Sequence, residues 1–388
     1  MKPIFVVLFA FVHLNVFSQL QKIPVFVSGN EGYKSFRIPA LLKLPGGELL
    51  AFCEGRVDNA GDYGNVDIVL KRSKDEGKTW SALEVVVNND TLQAGNPAPV
   101  IDIKDPAYPK GRIFLFYNTG NNSEGEIRKG KGLREAWYIT STDGGVSWSV
   151  PVNITTQVHR PKQPQLNASY NFTEDWRSYA NTPGHAMQFA KGKYEGRIFV
   201  AANHSAGEPQ PHFTDYHAHG YYTDDHGKTF HLSEQVQVEG SNESTAAELS
   251  NNKLMMNSRN QRGDIKQRII SISDNGGFTW RSVYFDKNLP DPVCEGSLLN
   301  IGVDRGRNIL AFCNAADSLY RNSLTLRISI DEGISWKYNY LVEQMDGTLR
   351  KDATAYSDIA LIHSESVGIL YERNRYTEIV FTAVDWEK

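Results

Sequence analysis

Cysteine is scarce in this chain. Only Cys53, Cys294 and Cys313 occur in 388 residues, and they do not have the spacing of a metal site. Three cysteines cannot build a disulfide framework in a chain of this length. We interpret them as small buried apolar side chains, while a bond between Cys294 and Cys313 remains open.

The chain also lacks a strong charge of one sign. Its formal net charge is −4 and its pI is about 6.2. A general nucleic-acid-binding surface, which needs an excess of basic residues, is therefore not expected. Any recognition of an anion must be local.

Long apolar runs are missing beyond the N-terminus, so no membrane span is expected. The N-terminal segment "MKPIFVVLFAFVHLNVFSQ" has one lysine and then an apolar run. It ends in Val16 and Ser18 ahead of Gln19, which is typical of a signal-peptide cleavage site. The run is too short and too interrupted for an anchor. We predict a signal peptide at 1–18, a single domain at 22–388 and a secreted or periplasmic protein.

Helical periodicity is absent throughout, and short β-rich runs separated by turns take its place. Five octapeptides share the pattern Ser/Thr-x-Asp-x-Gly-x-Ser/Thr-Trp/Phe, with asparagine replacing the aspartate in the fourth. We call them Asp boxes; they are "SKDEGKTW" (73–80), "STDGGVSW" (141–148), "TDDHGKTF" (223–230), "SDNGGFTW" (273–280) and "SIDEGISW" (329–336).

Each Asp box follows a strand-like run and is typical of a hairpin turn. The aspartate side chain accepts hydrogen bonds from nearby backbone amides, and the glycine takes a positive φ. These aspartates are therefore expected to be structural rather than catalytic. Repeated short strands and turns predict an all-β fold, a six-bladed β-propeller closed by an N-terminal and a C-terminal strand.

Several charged residues and one tyrosine are not explained by this fold. Arg37 lies in the apolar run "SFRIPALL", where a guanidinium needs an anionic partner. The others flank apolar strands or lie in glycine-rich loops. They are Arg259, Arg321, Glu243, Glu248, Tyr356, Glu372 and Asp62.

Together with the Asp boxes, these residues resemble the sialidase family, specifically the bacterial exo-α-sialidase type. The resemblance covers almost the whole mature chain. It depends on these segments: "FRIP" (36–39), "WRSYANTPGHAMQF" (176–189), "ESTAAELSNNKLMMNSR" (243–259), "AYSDI" (355–359) and "LYE" (370–372).

The resemblance implies that Arg37, Arg259 and Arg321 grip the carboxylate of sialic acid. A guanidinium suits this role because its planar fork pairs bidentately with a carboxylate and keeps its charge. It also implies that Glu372 holds the first of these arginines in place, and that Arg56 supports the site.

The resemblance further implies that Tyr356 is the nucleophile and Glu243 its base. A neutral phenol avoids repulsion from the substrate carboxylate, but its pKa near 10 requires a base. Glu243 is preferred to Glu248 because it precedes Arg259 by sixteen residues, as in the family pattern. Asp62 is the implied acid/base residue, with Asp58 and Asp67 as local rivals.

Other positions are less specific. Asn96 falls where the family lines the substrate pocket, and Trp137, Trp176 and the "HAHGYY" stretch either border the substrate or pack in the propeller. Thr182 departs from the glycine expected before Pro-Gly, which leaves linkage preference open. The histidines show no metal-ligand spacing, and we expect no metal or organic cofactor.

The sequence therefore predicts a monomeric, retaining exo-α-sialidase that acts on sialylated glycans. One alternative keeps the same site but transfers sialic acid to another sugar or forms an intramolecular anhydro product. A second alternative is a non-catalytic glycan-binding propeller, which would not need Tyr356, Glu243, Asp62 and three arginines together.

Overall fold

Short antiparallel strands form nearly all of the regular structure. The computed structural model describes residues 20–386, so the predicted signal peptide at 1–18 lies outside the described residues. The helical elements are α1 (Glu124–Arg128), α2 (Thr155–Val158) and three 3₁₀ turns at Gly192–Tyr194, Pro211–Phe213 and Gly347–Leu349.

The strands follow one another in chain order. The first nine are β1 (Ile23–Val27), β2 (Ser35–Lys43), β3 (Leu49–Arg56), β4 (Val66–Ser73), β5 (Glu84–Val87), β6 (Gln93–Asp102), β7 (Arg112–Gly120), β8 (Arg134–Ser141) and β9 (Val152–Asn153). The next nine are β10 (Trp176–Asn181), β11 (Met187–Gln188), β12 (Ile198–Ala206), β13 (Tyr216–Thr223), β14 (His231–Leu232), β15 (Ser241–Glu248), β16 (Leu254–Asn260), β17 (Gln267–Ser273) and β18 (Ser282–Pro290). The last seven are β19 (Gly296–Asp304), β20 (Arg307–Ala315), β21 (Leu324–Ser329), β22 (Tyr338–Glu343), β23 (Thr354–His363), β24 (Ser366–Arg373) and β25 (Glu378–Asp385).

Four separate sheets have the form of propeller blades. Two of them are β15–β18 and β19–β22, each in sequential order, and a third has the order β10-β12-β13-β14 with β11 paired to β12. The fourth has the order β1-β25-β24-β23, so an N-terminal strand completes the C-terminal sheet. The all-β, propeller-like architecture predicted from the sequence is confirmed.

The prediction of six separate blades needs correction, because β2–β9 form one eight-stranded sheet. Its two parts meet through a single parallel pair, Val66 with Gln93. The physical reason is the short strand β5, which pairs only with Ile68, Val69 and Leu70 of β4. The edge of β4 at Val66 therefore remains available to the following strand.

The inner strands of successive sheets lie beside one another. β2 contacts both β6 and β23, β11 contacts β6 and β15, and β19 contacts β15 and β23. The apolar core lies in layers between neighbouring sheets; for example, Leu326 of β21 and Ile369 of β24 belong to one buried cluster. The starts of the inner strands are thereby brought together around one axis.

The Asp boxes fold as the sequence predicts. In the first box, Asp75 Oδ1 accepts from the Thr79 amide at 2.9 Å and from the Ser73 hydroxyl at 2.8 Å. The Thr79 hydroxyl, which donates to Asp75 Oδ2 at 2.6 Å, has the largest effect, and together with the other two bonds it lowers the pKa of Asp75 to about 2. The glycine is required twice over: Gly77 has φ +87°, and an added Cβ would lie 2.1 Å from the Phe381 ring.

Candidate active site

The predicted site residues lie at one end of the inner strands. Arg37, Glu243 and Tyr356 are each the third residue of their strand, β2, β15 and β23. In the first sheet, Ser35 pairs with Arg56 at this end, whereas Leu49 pairs with Ser73 of the Asp box at the other end. The Asp boxes therefore lie away from the site, in agreement with a structural role.

Tyr356 makes the central contact. Its hydroxyl lies 2.6 and 2.7 Å from the two carboxylate oxygens of Glu243. Arg259 Nη1 donates to the same hydroxyl at 2.8 Å and lies 2.6 Å from Glu243 Oε2. The three side chains form a closed hydrogen-bonded group in which a proton can pass directly from the phenol to the carboxylate.

The environment of Tyr356 makes its ionisation difficult without help. The residue is only 6% exposed. Burial raises the pKa of Tyr356 well above its usual value, and the charge of Glu243 raises it further, against the opposing effect of Arg259 and Arg321. An adjacent proton acceptor is therefore needed if the phenol is to act as a nucleophile.

Glu372 explains how Arg37 can be buried. This fully buried carboxylate accepts from Arg37 Nε at 2.6 Å and from the Ile38 amide at 2.9 Å through Oε1. Its other oxygen accepts from the Tyr356 amide at 3.1 Å. A break in the β2–β3 register after Arg37, where Ile38 has φ 59°, turns the backbone towards Glu372. Glu372 thus positions both Arg37 and the strand of Tyr356.

Arg321 completes the group of three arginines. Its guanidinium carbon lies 5.5 Å from the Tyr356 ring centre, and that of Arg37 lies at 5.6 Å. Both guanidiniums also contact Tyr376. The guanidinium carbon of Arg37 lies 4.0 Å from the Tyr376 ring centre, and the Tyr376 hydroxyl accepts a hydrogen bond from Arg321 at 3.2 Å. Among the described residues, Arg321 pairs with the Val293 carbonyl at 3.0 Å and with no carboxylate. The three guanidiniums exceed the two partner carboxylates, Glu243 and Glu372, by one positive charge.

Asp62 lies at the edge of the site on the loop between β3 and β4. Its side chain is 79% exposed, and Oδ1 lies 2.8 Å from Arg56 Nη1. Desolvation by neighbouring atoms raises the pKa of Asp62, but the charges of Arg56 and Arg37 outweigh this and lower it below its usual range. The effect of Arg37 indicates that Asp62 and the arginine group share one electrostatic environment.

Arg56 is the support of this loop, and Glu54 is a residue that sequence reasoning missed. Arg56 is buried, donates to the Ala60 carbonyl at 2.6 Å and pairs with Glu54 Oε2 at 2.7 Å. Glu54 Oε1 accepts from the Asn96 amide at 2.9 Å. Asn96 also exchanges hydrogen bonds with Asn181 at 3.0 and 2.6 Å. The sequence signal that could have identified Glu54 is its alternation with Arg56, because residues two apart in β3 place their side chains on the same face.

Two of the three rival carboxylates, Glu248 and Asp67, lie elsewhere. Glu248 is at the far end of β15 from Glu243 and accepts from the Ala190 amide at 2.8 Å. Asp67 is buried in β4 and accepts from Tyr33 and Asn88, each at 2.7 Å. Asp58 is exposed on the same loop as Asp62. The contacts therefore favour Glu243 over Glu248 and Asp62 over Asp67 as neighbours of the arginine group.

The remaining aromatic and loop positions are mainly packed. Trp137 donates to Thr119 at 3.1 Å and packs against a core cluster. Trp176 stacks on His204 with ring centres 3.5 Å apart. Thr182 is buried, and its hydroxyl donates to the Ser244 carbonyl of β15, next to Glu243. The three cysteines are buried and free.

One group of described side chains has a geometry that could hold a metal ion. It comprises Asp102, Asp105 and His226, whose ligand atoms lie within 4.8 Å of one another. Asp102 Oδ1 already accepts from Gln188 at 2.6 Å, and Arg112 lies 3.0 Å from Asp105. Asp102 ends β6, at the opposite end from Asn96, so this group is separate from the arginine site.

No helix among residues 20–386 has both the length and the apolar character needed to cross a membrane.

The chain is similar in sequence to a known family and to known proteins. Residues 47–369 match the family model described as "BNR repeat-like domain". A sialidase of Micromonospora viridifaciens is 30% identical over 363 residues, which cover 89% of this chain and 51% of that protein. An exo-alpha-sialidase of Arthroderma benhamiae is 28% identical over 383 residues, covering 92% and 82%. The chain thus spans about half the length of the Micromonospora relative.

Two solved structures have a similar fold. A Hadza microbial sialidase superposes with a TM-score of 0.76 at 25% identity, covering 92% of this chain and 67% of that one. The intramolecular trans-sialidase of Ruminococcus gnavus superposes with a TM-score of 0.70 at 16% identity, covering 94% and 97%. The second similarity concerns the fold alone.

Proposed function

Since the chain belongs to the BNR repeat-like family of bacterial-type sialidases, we propose that it is a retaining exo-α-sialidase. It would release terminal sialic acids from glycoproteins, glycolipids or oligosaccharides. The observation that carries the proposal is the contact of the Tyr356 hydroxyl with Glu243 at 2.6 and 2.7 Å beside Arg37, Arg259 and Arg321.

The arginine group selects an anionic sugar. Two of its three charges are already balanced by Glu372 and Glu243, and the remaining positive charge favours a bound carboxylate. Guanidiniums held by buried partners lose little conformational freedom on binding, because their positions are set before the ligand arrives. A neutral hexose would leave this charge uncompensated.

In the first step, the Tyr356 oxygen attacks the anomeric carbon and its proton passes to Glu243. The glycosidic C–O bond breaks, and Asp62 gives its proton to the departing oxygen. In the second step, Asp62 takes a proton from water, which attacks the same carbon. Glu243 returns its proton to Tyr356 as the tyrosyl–sugar bond breaks. Two displacements give net retention.

Substrate binding also prepares Asp62 for its role as an acid. In the free protein, Arg56 and Arg37 keep its pKa low and therefore favour the ionised form. A carboxylate bound to Arg37 neutralises part of that field and raises the pKa of Asp62. We therefore expect the enzyme to work best at mildly acidic pH, where this group is protonated in the complex.

The remaining features of the proposal concern the whole protein. We propose a single domain over 22–388, a monomer, and export directed by residues 1–18. The mechanism requires no metal or organic cofactor, because Glu243 and Asp62 make every proton transfer and Tyr356 forms the covalent bond to the sugar.

The test uses two substrates. The enzyme is expected to release 4-methylumbelliferone from its α-linked sialic acid conjugate, and proton NMR on sialyllactose should show α-sialic acid as the first product. Inactivity on both from mildly acidic to neutral pH would contradict the hydrolase proposal, and an initial β-product would contradict retention.

The same NMR experiment separates the alternatives. Addition of excess lactose should leave free sialic acid as the main product. A new sialyl-oligosaccharide would identify a transferase, and an anhydro sugar would identify the intramolecular reaction. Binding of sialyllactose without any product would identify a non-catalytic propeller.

A further inference from the structure

A second buried carboxyl group holds the strand of Tyr356, and its role is not covered by the mechanism above. Glu295, immediately before β19, accepts from the amide of Ser357 at 2.9 Å through Oε2. The preceding amide, that of Tyr356, is held by Glu372. Two consecutive amides at the inner edge of β23 are therefore satisfied by two carboxyl groups, one in β24 and one on the residue that precedes β19.

The two carboxyl groups differ in their surroundings. Glu372 faces the guanidinium of Arg37 at 2.6 Å and is balanced in charge. Glu295 is 3% exposed, has no ion pair among the described residues, and its Oε1 has no hydrogen-bond partner. An ionised carboxylate with an unpaired buried oxygen is far more costly than a neutral acid in the same place.

The charged groups around Glu295 mainly add to this cost. The negative charges of Asp358 in β23 and Glu243 in β15 raise the pKa of Glu295, and the positive charge of the buried Arg268 in β17 lowers it. Arg268 is committed elsewhere: it lies 3.3 Å from Asp291 and donates to the Cys294 carbonyl at 2.6 Å. Burial is the largest effect and raises the pKa of Glu295 well above its usual value, even though the hydrogen bond from the Ser357 amide lowers it. The buried thiols of Cys294 and Cys313 are close enough to sense its charge.

We propose that Glu295 is a positioning residue that must carry a proton: as a neutral acid it holds the Ser357 amide beside Tyr356, and loss of this proton sets the alkaline limit of activity. Deprotonation would place a new negative charge beside the Glu243–Tyr356 pair. It would oppose formation of the phenolate and disturb the backbone that carries it. The inference builds on the proposed function and adds a pH-dependent control to the same site.

The experiment compares Glu295→Gln with the wild type. Glutamine keeps a carbonyl acceptor for the Ser357 amide but cannot ionise. We measure kcat/KM from acidic to alkaline pH by chromatographic detection of sialic acid released from sialyllactose. The alkaline limb of the Glu295→Gln profile should move up by at least about one pH unit, because the ionisation that inactivates the wild type is removed. Superimposable alkaline limbs would overturn the proposal.

Two further variants define the cause. Glu295→Met has a similar volume but no acceptor for the amide, so its kcat/KM should fall at least about tenfold at every pH. Glu295→Gln should lie well above it at acidic pH; equal losses in both variants would show that the carboxyl proton is not what the site requires. Glu248→Gln is the matched control, since Glu248 is another buried carboxyl with a raised pKa but lies at the far end of β15. Its alkaline limb should stay at the wild-type position.

Thermal unfolding tests the protonation without relying on activity. Because the pKa of Glu295 is raised on folding, the stability due to its neutral form is complete below about pH 4.3 and is lost as pH rises towards the folded-state pKa. The Tm of Glu295→Gln minus that of the wild type should therefore increase by about 2 °C per pH unit over this interval. A difference independent of pH would refute the protonated state. An inactive wild type with the expected Tm pattern would refute only the sialidase proposal.

Discussion

Replacement of Tyr356 by phenylalanine separates catalysis from folding in this site. The change removes one hydroxyl that contacts Glu243 at 2.6 Å and accepts from Arg259 at 2.8 Å. Glu243 and Arg259 remain paired with each other at 2.6 Å, so neither charge is left alone. We therefore expect the free energy of unfolding to change by less than about 1.5 kcal/mol.

The effect on catalysis should be much larger. Phenylalanine has no nucleophilic atom, so the two-step route is lost, and kcat should fall at least about 1,000-fold, or about 4 kcal/mol in the activation free energy. The assay measures methylumbelliferone release together with Tm for the same samples. Near-normal Tm with kcat within tenfold of the wild type would refute the nucleophile assignment.

Tyr376→Phe is the matched control for this experiment. Its hydroxyl accepts from Arg321 at 3.2 Å and contacts Asp352 at 3.2 Å, while the ring stays under Arg37. Because the change removes a contact to Arg321, which we propose to bind the carboxylate, rather than a reacting atom, KM should rise up to about tenfold while kcat changes little. A loss of kcat equal to that of Tyr356→Phe would indicate a general defect of the pocket.

Further outcomes can be measured on the same protein. Arg321→Lys should raise KM by about 10- to 100-fold, because the lysine ammonium cannot pair bidentately with a carboxylate as a guanidinium does. An unchanged KM would show that Arg321 does not bind the carboxylate. Asp62→Asn should reduce kcat on sialyllactose far more than on the methylumbelliferyl conjugate, whose leaving group needs little protonation; equal losses would exclude the role as acid. Gly77→Ala should lower Tm by several degrees with KM unchanged, because its Cβ would meet Phe381 2.1 Å away; an unaltered Tm would contradict the packing. N-terminal sequencing of the exported protein should begin at Gln19, and retention of Met1 would refute the signal peptide.

Sequence reasoning reached the propeller through local signals. Each Asp box is a self-contained turn whose hydrogen bonds join residues four positions apart, as Asp75 with Thr79. Such contacts can be inferred from spacing alone. The joining of β2–β9 into one sheet could not be inferred, because it depends on how far β5 extends along β4.

The sequence predicted site residues only where the residue type is unusually costly to bury or where the residue matches the family pattern. Arg37 drew attention because a guanidinium in an apolar strand needs an anion, and Glu372 lies 2.6 Å from it. Glu295 gave no such signal, and Glu54 was marked only by its alternation with Arg56 in β3. Their importance comes from backbone amides at the inner edges of the sheets, Asn96 and Ser357, which need acceptors only once the strands surround the axis.

The sequence by itself determined the all-β class, the positions of the Asp-box turns and the residue types suited to an anionic sugar. These depend on alternation, turn chemistry and charge, which act over a few residues. Only the tertiary structure decided that Glu243 rather than Glu248 meets Tyr356, a contact across 113 positions of the chain. It also decided that Glu295 is buried with no ion pair among residues 20–386. Both follow from burial and from distances between strands, which exist only when the sheets close around their axis.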